Sequence, residues 1–208
     1  MSSHDWYRNT TWNERIAEEF EAKLRRAKDK PQYLRIQACT LAEYEPHVAL
    51  ELIERYFELG EHSDRAQAYV DQATAYVHLD RLDDAVQSYA RALEREEAFP
   101  NVRTGAWLSL PLLIATRSLA DKYALALGLL DRFRERVMFP LDAFHWNAAY
   151  ALILVARSQP EEAVAYAQGA VEAAEQAHSG FRYHPNVGLV GSRQAALVRR
   201  LKKIAQTR

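Results

Sequence analysis

Between residues 66 and 93 (AQAYVDQATAYVHLDRLDDAVQSYARAL), small and aromatic side chains recur at helical intervals that gather them on one face of each of two successive helices, as two helices packed side by side require. Tyr69, Ala73 and Tyr76 fall on one face of a first helix, and Ala85, Tyr89 and Ala92 on one face of a second. Small residues let two helix backbones approach closely, and aromatic rings fill the seam around them. Asp80 and Arg81 are then left to carry the turn. The rest of the chain is compatible with more of the same. At 208 residues, with 49% hydrophobic side chains and only 7 Gly and 7 Pro, it can bury a sizeable core and is not built like a disordered protein.

The pattern recurs along the sequence. Ala49, Ala85, Ala126 and Ala163 each sit early in a second helix, at spacings of 36, 41 and 37 residues. Phe99-Pro100 and Phe139-Pro140 mark two helix ends about one turn late, so the helices themselves are long. The reading is helical throughout, with no strand. A first helix starts at a capping box of Thr11 and Glu14 and runs to about Lys28, with Ile16, Phe20, Leu24 and Ala27 as its apolar stripe. Further helices span 31–44, 46–59, the two of the 66–93 pair, 101–119 with 122–137, and 142–157 with 160–177. The segment SGFRYHPNVGLVGS then reads as an ordered loop, and a last helix over 191–206 aligns Leu197, Val198, Leu201 and Ile204.

These residues resemble the tetratricopeptide-repeat family. The likeness is strongest over 66–93 and clear in AAYALILVARSQPEEAVAYAQGAV, where Tyr150, Ala151, Leu154, Ala163, Ala167 and Ala170 take the repeat's places. It is weaker around Ala49, where Gln37 falls at a small-residue place, and weakest around Ala126, where Arg117 falls at an aromatic one. The resemblance implies an all-α fold of about five antiparallel helix pairs, stacked as a right-handed superhelix, an α-solenoid, in one domain. Its parts are an N-terminal aromatic segment and capping helix (1–30), the repeats (31–177), and a loop with a C-terminal capping helix (178–208). It also implies a concave groove, lined by the first helices, that binds a peptide or protein segment without catalysis, as adaptors and assembly factors do.

The groove positions implied in this way are Gln67, Val70, Asp71, Thr74 and His78 in the strong repeat, and His145, Ala149 and Leu152, with Ala148 and Val155, in the last. Val70 and Thr74 hold the places of the first Lys and Asn of the family's carboxylate clamp, so an apolar peptide side chain is the expected guest rather than a C-terminal carboxylate. Arg182, Tyr183 and His184, in the loop after the repeats, are expected at the edge of the groove. Solenoid ends need capping, so this loop is read first as a plug anchored by Phe181 and Tyr183.

Other chemistry finds little support. None of the 7 histidines pairs at the i, i+4 spacing of a helical zinc site, and Cys39 has no neighbour in sequence to share a metal, so neither metal nor cofactor is expected. No nucleophile elbow or phosphate-binding glycine loop is present, and an enzyme is not expected. The rival readings are a homodimer or larger homo-oligomer, and a small-ligand sensor or enzyme using the His and Arg residues of 178–184. The charges nearly cancel, 27 basic against 28 acidic, so nucleic acid is not expected as a partner unless a local patch, such as Arg199, Arg200, Lys202 and Lys203, recruits it. The sequence start carries no basic residue followed by an apolar run, the lone cysteine suits a reducing compartment, and the most apolar stretch, 106–115, is too short to span a membrane. The expected setting is the cytoplasm.

Overall fold

The computed structural model describes residues 5–207; the outermost residues of the 1–30 and 178–208 segments lie outside it. It is all-helical, with ten α-helices and no strand among the described residues: α1 (Glu14–Arg26), α2 (Lys30–Leu41), α3 (Pro46–Glu58), α4 (Arg65–His78), α5 (Leu82–Ala98), α6 (Ala106–Thr116), α7 (Tyr123–Arg132), α8 (Pro140–Ala156), α9 (Pro160–Ala174) and α10 (Ala195–Ala205). None of these helices is long and apolar enough to cross a membrane. The chain divides into two compact units, Met1–Ala106 and Trp107–Arg208.

In the first unit α2 packs on α3 and α4 on α5, while α3 and α2 both touch α4. The helix starts are chemically set. The Asp29 side chain accepts from the Gln32 amide at the head of α2, and Pro46 opens α3, where a missing N–H costs nothing. Asn13, rather than Thr11, caps α1 by accepting from the Ile16 amide, which replaces the expected capping box. Buried Leu34, Gln37, Ala38 and Leu41 form one stripe of α2, facing Leu52, Ile53 and Tyr56 of α3 within a shared core that includes Phe20 and Leu24 of α1.

Gln37 accounts for the weak repeat pattern around it. Its Oε1 accepts from the Asn9 amide at 3.0 Å and from Asn9 Nδ2 at 2.8 Å, and its Nε2 donates to the Asn9 carbonyl at 2.8 Å. A fully buried glutamine therefore holds the N-terminal segment at the position where the sequence resemblance expects a small residue. Around this clasp Trp6 and Tyr7 pack on Tyr33 at 4.9 and 4.7 Å, and Trp12 on Phe20 at 5.6 Å. At the other end, Thr104 donates its amide (2.8 Å) and hydroxyl (2.6 Å) to the buried carboxylate of Glu96 on α5, and its Oγ1 accepts from the Ala106 amide. Residues 101–105 are thereby tied to α5, and α6 starts five residues later than the sequence suggests.

The second unit is built on the α8–α9 pair, with α10 packed on α9 and α8, and α7 on α8. Ala148 and Ala151 face Ala167, Ala170 and Ala173, so the two backbones meet across methyl groups, and Phe144 and Leu201 close the core. Leu201 of α10 is fully buried there and Leu197, Val198 and Ile204 pack beside it, so the terminal helix caps the α8–α9 pair by the stripe expected for it. Tyr150 and Tyr166 stack at 4.6 Å, the Tyr150 hydroxyl donates to Asp131, and Trp146 Nε1 donates to the Leu130 carbonyl at 3.0 Å, which fastens α7 to α8. α7 ends at Arg132 rather than near 137, because 134–136 tightens into a 3-10 turn ahead of the extended Val137.

Three helix–helix turns share one backbone solution. Asp80, Ser118 and Ser158 all adopt left-handed φ of 56°, 56° and 60°. In each turn the following amide reaches back five residues: Arg81 to Tyr76 O at 2.9 Å, Leu119 to Ile114 O at 3.0 Å, and Gln159 to Leu154 O at 2.9 Å. This is the Schellman arrangement, made here without glycine. The turn after α6, where the sequence pattern is weakest, is thus built like the one between α4 and α5.

Candidate functional site

The residues predicted to line a groove sit in two different settings. In the first unit, α2 and α4 are joined by a partly buried polar network. Arg35 of α2 places Nε 2.5 Å from Asp64 Oδ2 and Nη1 3.1 Å from Asp71 Oδ2. Tyr56 of α3 donates its hydroxyl to Asp64 Oδ1 at 2.7 Å, and Gln67 Nε2 donates to Asp71 Oδ1 at 3.0 Å. The Cys39 thiol completes the set against Asp71. Asp71 is only 3% exposed, so this predicted groove residue acts first as the link between the two helices.

Electrostatics follow from that burial. Desolvation raises the Asp71 carboxyl above its ordinary range, although Gln67, Arg35 and Cys39 all pull it down. For Arg35, burial opposes the charge, but Asp71 and Asp64 outweigh it and leave the guanidinium more firmly protonated. Cys39 is pushed up to about 11, mostly by burial of its thiol and next by the Asp71 charge, even though the residue as a whole keeps an exposed surface. Tyr56 is also raised, by burial and its bond to Asp64.

The other predicted groove positions of α4 are less buried. Thr74 and Val70 are half-buried, with the Thr74 hydroxyl bonded to the Val70 carbonyl at 3.0 Å, while Gln67 is held by Asp71 and His78 is exposed at the end of α4. A polar cleft of about 360 Å³, lined by Asp29, Pro31, Gln32, Arg35, His62, Ser63 and Asp64, opens beside the head of α2. His62 also borders a more apolar cleft of about 390 Å³ with Arg95, Phe99 and Val102, where Arg95 lies 3.7 Å over the Phe99 ring and 2.6 Å from Glu61. Its Nε2 is buried without a hydrogen-bond partner.

In the second unit the predicted positions are mostly core. Ala149 (0% exposed) and Leu152 (2%) have no surface to offer a partner, and Ala148 is likewise buried in the α8–α9 seam. These are corrected to packing residues: apolar positions of α8 are covered on more faces than a single stripe would bury. His145 is half-buried, and burial lowers its pKa against the opposing pull of Asp142. Val155 retains 38% exposure.

The loop after α9 folds back on the start of α8. Ser179 donates its amide to the Pro185 carbonyl (2.8 Å) and its hydroxyl to the His184 carbonyl (2.6 Å), and the Leu141 amide donates to Gly188 O at 2.7 Å. Phe181 anchors it against Phe139 at 5.2 Å, whereas Tyr183 stands 79% exposed and is no anchor. Arg182, Tyr183 and His184 all lie in solvent rather than around a common cavity. His178, Ser179 and Gly180 instead border an open cleft of about 400 Å³ with Phe139 and Glu172. Among the described residues no three His, Cys, Asp or Glu gather as a metal site would require.

Sequence reasoning missed Arg35, Asp64 and Tyr56. The signal was present in part: an arginine one residue from the buried stripe of a helix start, 36 residues ahead of an aspartate at a groove position. Comparison of the chain with protein-family models, with curated proteins and with solved structures finds no match.

Proposed function

We propose that this chain is a non-catalytic helical-repeat module that binds a peptide or protein segment along the α2–α4 face of its first unit. The observation that carries the reading is the side-by-side placement of α2 and α4, cross-linked through Arg35 to Asp64 and Asp71. Helices joined by a partly buried ionic network, anchored on the desolvated Asp71, present their outer side chains in fixed positions, so little ordering entropy is lost when a partner docks. The contact residues in this reading are Gln67, Val70, Thr74 and His78 of α4, with Cys39 of α2. The right-handed superhelical stack belongs to the same proposal, supported by the pairing of α2 with α3 and α4 with α5 and by the three matching turns.

The test is affinity capture from cell extract with the intact chain beside a Thr74→Arg/His78→Glu variant of matching circular dichroism, followed by titration of the purified captured protein. Direct binding that weakens at least tenfold in the variant supports the proposal. Equal affinity for both forms removes the α2–α4 face from consideration.

A further inference from the structure

The near-zero net charge conceals a segregation. The first unit holds 14 basic and 20 acidic residues, a net −6, whereas the second holds 13 and 8, a net +5. Within the second unit the excess lies at the end: after Glu175 no Asp or Glu occurs, while seven Lys and Arg do. The near-neutral total is thus the sum of two opposite halves, and the second half carries the sign that a polyanionic partner needs.

α10 displays much of this charge in a fixed way. Its apolar stripe is occupied by α9 and α8, with Leu201 wholly buried, so Arg199, Arg200 and Lys203 are held outward on an exposed face, one helical turn separating Arg199 from Lys203. Lys202 turns to Glu175 at 2.9 Å. In the same unit the exposed Arg182 guanidinium lies 5.4 Å from the centroid of the exposed Tyr183 ring. An exposed cationic helix face suits a chain of phosphates, which needs only several positive charges within its reach, better than a peptide, which needs a groove or an edge. Arginine forks match phosphate oxygens, and an exposed Tyr beside an Arg is a stacking platform for an unpaired base. Insertion into a membrane would require α10 to give up its buried stripe.

We propose that the second unit binds single-stranded nucleic acid through phosphate contacts from Arg199, Arg200, Lys203 and Arg182, with Tyr183 stacking on a base. These residues belong to the second unit, whereas the face proposed above for a protein partner belongs to the first, and the inference does not rest on that reading.

Fluorescence anisotropy of the full chain with a labelled 20-nucleotide RNA of mixed sequence tests the proposal, with duplex DNA, polyglutamate and phosphatidylserine vesicles as further arms. Four phosphate contacts give a slope of log K against log salt near −3, so affinity falls about 50-fold between 50 and 200 mM salt. Arg199→Gln/Arg200→Gln/Lys203→Gln should reduce that slope by about two, whereas the charge-matched control Arg25→Gln/Arg26→Gln/Arg91→Gln in the first unit should leave it unchanged. Tyr183→Ala should weaken RNA binding about tenfold at constant slope. The proposal is overturned by absence of RNA binding at 50 mM salt, by equal binding of the triple variant and wild type, or by preference for duplex DNA, polyglutamate or vesicles over RNA.

Discussion

Cys39 is the sole cysteine of the chain, and its reactivity reads out the buried network directly. Burial of the thiol and the neighbouring Asp71 carboxylate raise it from an ordinary 9.0 to about 11. At pH 8 a two-unit rise lowers the thiolate fraction about 100-fold, and the greater intrinsic nucleophilicity of the more basic thiolate returns roughly tenfold. Alkylation by iodoacetamide should therefore run about ten times slower than for the same cysteine in the denatured chain. Asp71→Asn removes the repelling charge but not the burial, so the apparent pKa should fall by about one unit and remain above 9. The assay is the pH profile of the alkylation rate from pH 7 to 11, followed by mass spectrometry at a single site. A wild-type profile with an apparent pKa at or below 9, or one that Asp71→Asn leaves unmoved, would refute the placement of the thiol against a charged Asp71.

Gln37→Ala brings the chain closer to the repeat pattern yet should destabilise it by about 2–3 kcal/mol in chemical denaturation, because the Asn9 clasp loses three hydrogen bonds and leaves polar groups unpaired. Gly188 has φ 68° and would place a Cβ 2.5 Å from Phe139, so Gly188→Ala should cost about 2–3 kcal/mol and release the loop to proteolysis. Ser158→Gly should raise stability by about 0.5 kcal/mol, the relief of a left-handed serine partly offset by glycine's greater unfolded-state freedom; a lower melting temperature would count against the turn assignment. Burial holds the His145 pKa below its unfolded value, so its contribution to stability is full above about pH 6.5 and declines as the pH falls from there toward the folded value. Melting temperature between pH 7.5 and 5.5 should drop more steeply for wild type than for His145→Gln.

The helices were legible because their apolar stripes and proline starts are local signals, and so was the terminal cap, whose Leu197, Val198, Leu201 and Ile204 align on any α-helix of that register. Asp80 was legible as a turn residue since an aspartate tolerates left-handed φ. The candidate site was less so. Asp71 and Arg35 are 36 residues apart, and only the packing of α2 on α4 turns a solvent-facing pattern into a desolvated ion pair. Ala149 and Leu152 look like groove floor on a single-helix projection, whereas α8 is covered on several sides and buries them. Gln37 looked like a flaw in a repeat because its partner, Asn9, lies in a segment without any periodic pattern. The charge segregation was countable, but a boundary near residue 106 is needed to divide the count.

Site-specific photo-cross-linking tests the central claim most directly. A benzophenone side chain would be placed in turn at positions 39 and 78, on the α2–α4 face, and at exposed positions 51 and 94 on α3 and α5, and each chain irradiated with the captured partner. Adducts at 39 and 78, absent at 51 and 94, are the predicted result. Adducts only at 51 or 94 would place the partner on the opposite helices and contradict the account.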